Sequence, residues 1–379
     1  MLWNGFAIKR VAKDKKVSLA SLATQIGVSR QTVNDWINGQ IPKGNHLLAL
    51  CRLLREKPEA FFKENEAVSI SVPAHRKRKS AKMNPEMRRQ SLQMAKEYDL
   101  LFKGAQQSEV VPVIRVTERT MENAVRIANS LRFQLGLSAD RVIDLRHLLE
   151  LLDLLGIFLI FRKFPNSIKS YAFYSKIYGH RVVFVNTDTN LLDLFFPLLH
   201  EAIHATRDEV DNHEEYEEEE EEFCDNTASF IQFPENYVEN VHDTIKDLPI
   251  EKQIEKLKAF SQKYQHSLYG LVKRIKGQFP DFEISEKLIC KIDTLGRKQI
   301  PSLSARLFSS TDPRDFVDAM FKASPKFMKL VSAQADSLTD RKLGELLGLA
   351  SGLDAREVRA FIEKKLRLDK GELANAYNM

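Results

Sequence analysis

The chain has 379 residues, 43% of them apolar and 29% charged, with a formal net charge of +5. That composition describes a globular protein of two or three domains and excludes a disordered or fibrous chain. The longest apolar stretch, "HLLELLDLLGIFLIF", is interrupted by Glu150 and Asp153 and is too short to span a bilayer.

The opening "MLWNGFAIKRVAKDKK" lacks the apolar core and small-residue cleavage site of a signal peptide, and Cys51, Cys224 and Cys290 are few and far apart. A reduced, cytoplasmic protein with no membrane partner is therefore expected. Charge is unevenly spread. Residues 75–89, "HRKRKSAKMNPEMRR", are basic, whereas residues 208–222, "DEVDNHEEYEEEEEE", carry eleven acids and no base. Different regions should meet different partners.

In chain order, residues 1–65 read as short helices around a tight turn. In "KVSLASLATQIGVSRQTVNDWINGQ", Leu19, Leu22, Ala23 and Ile26 form one apolar face, Gly27 supplies a turn, and Ser29 caps the next helix. Val33, Trp36 and Ile37 repeat at helical spacing and turn that helix inward. Arg30, Gln31 and Asn34 are left facing out, where a recognition helix meets major-groove edges: Arg pairs with guanine, Gln or Asn with adenine. The pattern resembles the Xre/Cro-like helix-turn-helix family over roughly residues 6–63. DNA is the implied partner, and a homodimer or a neighbouring protein is the usual way for one such domain to bind tightly. The competing reading is a small helical domain that docks a protein.

Residues 66–115 read as a basic linker followed by a helix, "EMRRQSLQMAKEYDLLFKGA". Residues 116–240 mix helix and strand. "ERTMENAVRIANSLRFQLGLS" has an apolar helical stripe from Met121 to Leu135, and "VIDLRHLLELLDLLG" is a second helix ending at Gly156. "IFLIFRK", "SYAFYS" and "RVVFVN" read as strands. The next helix, which carries His200, is expected to be capped by Asp188 or Thr189. Residues 241–379 look almost wholly helical, broken at "QFPDF", "SSTDP" and "KASP", and carry no role that the sequence names. The fold class expected is mainly α with a small β-sheet (α+β).

"HEAIH", residues 200–204, decides the chemistry. Residues four apart share a helix face, so His200 and His204 can hold one cation, with Glu201 beside them to take a proton from a water. A catalytic Zn²⁺ needs three protein ligands. Downstream, "EEEFCDNTASFIQFP" offers Glu221 as the third, with Glu222 and Glu218 as alternatives, and Asp225 one turn on to orient a ligand histidine. The plainer reading is two structural histidines on a helix that runs into a solvated acidic loop. Tyr171, Tyr174, His180, His213 and Tyr216 are the candidates for an oxyanion donor.

The blocks "ERTMENAVRIANSLRFQLGLSADRVIDLRHLLELLDLLGIFLIF", "HRVVFVNTDTNLLDLFFPLLHEAIHA" and "EEFCDNTASFIQFP" together resemble the ImmA/IrrE family of metallopeptidases, over about residues 118–275. Departures are Thr227 in place of an aromatic, no Gly in "SYAFYS", and the poly-Glu insertion. The resemblance implies a zincin-like domain and an endopeptidase whose protein substrate is a transcriptional repressor, in a stress or mobile-element response. Two other readings fit the same domains: a DNA-binding regulator whose zincin-like domain is a sensor or docking module, and a toxin–antitoxin component.

Overall fold

The computed structural model describes all residues except 1, 4, 16, 38–39, 64–69, 72–84, 106–113, 115, 117, 169, 208–217, 298–299, 350–352 and 377–379. Most of the basic run and of the acidic run, with His213 and Tyr216, lies outside the described residues. The chain divides into two units, Met1–Ser69 and Ile70–Met379.

The first unit is built from helices Phe6–Asp14, Leu19–Ile26, Arg30–Ile37 and Gly44–Leu54 and a 3₁₀ turn Pro58–Phe61. Its two ends close on each other, because Leu2–Trp3 pairs antiparallel with Phe62–Lys63. The core is the set of inward apolar positions, with Ile8, Leu22, Val33, Leu50 and Phe61 fully buried. Two local signals make the turn between the second and third helices. Ser18 caps Leu19–Ile26 by accepting from Ser21 N, and Gly27, at φ 81°, ends it in a left-handed turn that a side chain would strain. Gly5 is required for a different reason: a Cβ there would lie 2.0 Å from the Trp36 carbonyl oxygen. The Trp3 indole N–H donates to that same carbonyl at 2.8 Å, so the chain start is held on the end of the third helix.

The second unit is organised around a four-stranded sheet in the order Ile70–Ser71, Ala172–Ile177, His180–Asn186, Ile157–Arg162. The first three strands are antiparallel; Ile157–Arg162 runs parallel to His180–Asn186, with Ile157 opposite Arg181 and Arg162 opposite Asn186. Tyr178 and Gly179, both at positive φ, make the two-residue hairpin turn whose twist suits antiparallel strands. Both faces of the sheet are buried, and the period of two sorts the side chains between them.

Ile157, Leu159, Phe161, Tyr174, Val183 and Val185 meet one core, shared with helices Met121–Gln134, Leu145–Leu154, Leu191–Arg207 and Glu218–Gln232. Phe158, Ile160, Phe173, Val182 and Phe184 meet the other. That far face is closed by the helices Pro85–Lys96 and Asp99–Lys103, through Met94, Tyr98 and Phe102, and by helices from residues 313 to 362, through Phe316, Phe327, Leu343 and Ile362. The helix expected in the linker therefore covers the sheet, and the C-terminal region shares the shielding of that face. A third core is centred on Tyr237, Val241, Leu271 and Ile275. The boundary expected at residue 240 falls inside the helix Glu235–Ile245, and residues 241–379 belong to the same unit as the sheet.

The fold is mainly α with a small β-sheet and a helix-turn-helix at the N-terminus. No helix among the described residues is long and apolar enough to cross a membrane.

Candidate functional site

The helix Leu191–Arg207 carries His200, Glu201 and His204 across the sheet. It starts one residue later than the caps read from the sequence. Asn190, rather than Asp188 or Thr189, is the cap, its Oδ1 accepting from Asp193 N at 3.0 Å. Pro197 sits inside the helix, one turn before the histidines. Leu194, Leu198, Ala202 and Ala205 bury its inner face, and His200 and Glu201 are themselves buried. The helix Glu218–Gln232 packs beside it with Phe223, Ala228 and Ile231 in the same core. Arg132 ties the helix to Met121–Gln134 by donating to the Ile231 carbonyl at 2.8 Å.

Three side chains from these two helices converge. The Nε2 atoms of His200 and His204 are 3.0 Å apart; Glu221 Oε1 is 3.3 Å from the His204 nitrogen and Oε2 is 3.6 Å from that of His200. Ligand atoms at the corners of a tetrahedron around zinc, with metal–nitrogen bonds of roughly 2.0–2.1 Å, are about 3.3 Å apart. Glu221 is almost fully buried, and its Oε2 accepts no hydrogen bond. Behind His200, Asp225 Oδ1 lies 3.0 Å from Nδ1, off the ideal hydrogen-bond line but close enough to favour a proton on that nitrogen and a lone pair on Nε2. Lone pairs and a carboxylate facing one another in a buried space repel unless a cation or protons sit among them. The donor set fits a zinc-like divalent ion, and His200, His204 and Glu221 are the residues that could hold one.

Glu201 is directed by the sheet. Its Oε2 accepts from Tyr174 N at 2.9 Å, which joins the histidine helix to the strand Ala172–Ile177. Burial pushes the Glu201 carboxyl up to about 7, with the Glu221 carboxylate adding to the rise and His200 and the Tyr174 N–H opposing it. A carboxyl there can take up and release a proton near neutrality. Burial would also raise Glu221, but the hydrogen bond and charge of His204, with His200, hold it below the usual carboxylate range. Glu220, next along, meets burial with two guanidinium groups: Arg207 and Arg119 hold it down at about 2.

Of the acids weighed as third ligand, Glu218 and Glu222 are exposed and Glu221 alone turns inward. Of the oxyanion candidates, the Tyr174 side chain lies in the core, and His180 is wedged between Phe102 and Phe158 on the far face of the sheet. Two features were invisible in the sequence. The Tyr174 contribution is a backbone N–H, which no side-chain pattern signals. The Arg119–Glu220 bond, 2.7 Å long, joins residues 101 apart.

In the first unit, Ser29 Oγ caps the helix Arg30–Ile37 by accepting from Thr32 N at 3.0 Å. Val33, Trp36 and Ile37 face inward, whereas Arg30 and Gln31 are exposed and Asn34 half-buried. The Gln31 amide donates to Asp35 Oδ1 at 2.9 Å along the helix surface.

Comparison with known proteins bears on this unit. Residues 7–63 match the family model described as a Cro/C1-type HTH DNA-binding domain. No match to the chain was found among curated proteins or solved structures. The matched stretch ends before the sheet begins, so the His200–His204–Glu221 cluster lies outside it. The chain carries a Cro/C1-type helix-turn-helix DNA-binding domain at its N-terminus.

Proposed function

We propose that this protein is a DNA-associated zinc endopeptidase of the ImmA/IrrE kind, which cleaves a transcriptional repressor in a stress or mobile-element response. The observation that carries the reading is the convergence of two imidazole nitrogens and one buried carboxylate within 4.8 Å of one another, next to a second buried carboxylate. His200, His204 and Glu221 are the ligands of Zn²⁺ in this reading. The chemistry zinc supplies when bound is polarisation of the scissile carbonyl and acidification of a water. Glu201 accepts the proton of the attacking water and returns it to the leaving amine, its acidity being suited to both steps near neutral pH. Tyr174 N–H keeps one Glu201 oxygen in place during both, and Asp225 keeps the His200 ring turned inward.

Arg30, Gln31 and Asn34 read the operator, and a homodimer would set two such helices on successive half-sites. The DNA-binding domain favours a second reading, in which the same ligand set serves a transcriptional regulator as a metal sensor or docking module without hydrolysis. One experiment separates the two. The zinc-loaded full chain and its Glu201→Gln variant are incubated with a proteome-derived peptide library, and new N-termini are counted by mass spectrometry beside the zinc content of each protein. An endopeptidase gives one zinc in both proteins and at least a hundredfold fewer cleavages in the variant. One zinc in both with equal, background cleavage leaves the regulator. No zinc in the wild type removes the centre from both readings.

A further inference from the structure

His200 has a carboxylate behind its Nδ1 edge, and His204 has a sulfur. Cys224 is fully buried, and its Sγ lies 3.6 Å from His204 Nδ1 and 3.6 Å from Glu220 Oε1. Cys224 and Asp225 are neighbours on one helix, so consecutive residues back the two imidazoles. Resting on the metal-centre reading above, we infer that Cys224 is a positioning residue for His204, its thiol accepting from Nδ1–H while donating S–H to Glu220.

The hydrogen-bond directions close without remainder. The ring proton sits on Nδ1, which leaves the Nε2 lone pair aimed at Glu221 and His200. The thiol uses one lone pair for the ring and its single proton for the carboxylate. Glu220 in turn cannot swing away, because Arg207 and Arg119 both hold it; the Arg207 Nη2 and Arg119 Nε bonds are each 2.7 Å. Arg207 is itself packed over the Phe223 ring at 4.6 Å. The relay therefore ends on a fixed point.

Two other roles compete for the same side chain. His204, Glu220 and Cys224 are close enough together to offer a second cation site. Two guanidinium groups already neutralise Glu220, however, and a cation beside them would meet repulsion that the inner site does not have. Simple core packing is the remaining alternative, since a buried free cysteine behaves as a small apolar side chain. Packing and positioning respond oppositely to serine. Serine offers the same donor and acceptor, on a shorter bond that a small side-chain shift must make up, but is the poorer core residue; alanine is the better core residue and offers neither.

The test uses the full chain. Zinc affinity is measured by chelator competition, and the geometry of the centre by the visible absorption of the Co²⁺ form, for wild type, Cys224→Ser and Cys224→Ala, beside thermal unfolding of each metal-free protein. Positioning predicts that Cys224→Ser stays within about twofold of wild type while Cys224→Ala binds about tenfold more weakly, with a changed Co²⁺ spectrum. Cys224→Val, which fills the space without a polar edge, repeats the alanine result should alanine loosen the helix. Wild-type affinity in Cys224→Ala, or equal loss in serine and alanine, overturns the assignment and leaves the metal centre standing. A wild type that takes up neither ion overturns both.

Discussion

The two units hold their candidate functional groups in opposite ways. On the helix Arg30–Ile37, the candidate side chains Arg30 and Gln31 stand in water and the apolar groups behind them make the fold. In the second unit, the candidate groups are inside: His200, Glu201 and Glu221 are each less than a tenth exposed. The difference follows from the ligand. Phosphate and base edges arrive at a surface and are met by long cationic or amide side chains that give up mobility on contact. A metal ion must be met by lone pairs already aimed, because a low-dielectric site has no water to correct a misplaced donor. A surface site can thus be built by one helix and its cap, whereas the buried one uses two helices, a strand and the residues behind each ring.

This contrast can be broken or sharpened by experiment. The largest effect belongs to Glu201: Glu201→Gln is expected to lower peptide cleavage by about 10²–10⁴-fold while leaving zinc content and operator binding as in the wild type. Next comes His204→Ala, which removes a ligand outright. Zinc affinity should fall by more than about 10²-fold on the scale of zinc-site losses, and gel shifts with operator DNA should not change. Loss of DNA binding in that variant would mean that the units are coupled through the centre.

The recognition helix offers the converse. Arg30→Ala with Gln31→Ala deletes two groups worth about 1–3 kcal/mol each in base discrimination. Selective shifts should disappear against competitor DNA while zinc binding persists.

A pH scan tests burial in the second unit by a group far from either ligand. His266 is buried against Tyr237, its Nε2 2.7 Å from the phenol oxygen, and burial lowers its pKa from 6.5 to about 4. The folded form thus binds fewer protons than the unfolded one. The stability it contributes is complete above pH 6.5 and is lost as the pH falls from there towards 4, by about 3 kcal/mol in all. Urea unfolding of wild type and His266→Phe should give stabilities whose difference changes by about 3 kcal/mol across that range, the opposite contribution of the raised Glu201 carboxyl being common to both proteins. Equal slopes would assign the loss to other groups.

The last test is Gly5→Ala, which sets a Cβ 2.0 Å from the Trp36 carbonyl oxygen, a backbone atom that cannot swing aside, and should cost about 3 kcal/mol or more. Thermal unfolding followed by the fluorescence of Trp3 and Trp36, both in the first unit, should show it.

How much of this could be read in advance depends on the range of the interaction. The cap at Ser29, the turn at Gly27 and the inward triplet Val33, Trp36 and Ile37 are all relations within a few residues, so local pattern was enough. The pairing of His200 with His204 is likewise local. The histidine-helix cap was missed because Asp188, Thr189 and Asn190 are three competent caps in a row, and the choice follows from where the strand His180–Asn186 releases the chain. Six acids in succession posed the same difficulty. Composition says that most of them must be solvated, but which one turns inward depends on how the helix Glu218–Gln232 is rotated against its neighbours.

Taken alone, the amino-acid order determined the helix-turn-helix, the three main strands and the presence of two imidazoles on one helix face, since each is set by spacing along a single element. Tertiary structure decided the rest. It turned Glu221 inward and left Glu218 and Glu222 outside, brought the Tyr174 N–H to Glu201, set a thiol and a carboxylate behind the two rings, and used the helices after residue 84 and after residue 312 to close the far side of the sheet. These are contacts between residues far apart in the chain, and they come from packing apolar faces together, a process whose outcome no local periodicity encodes.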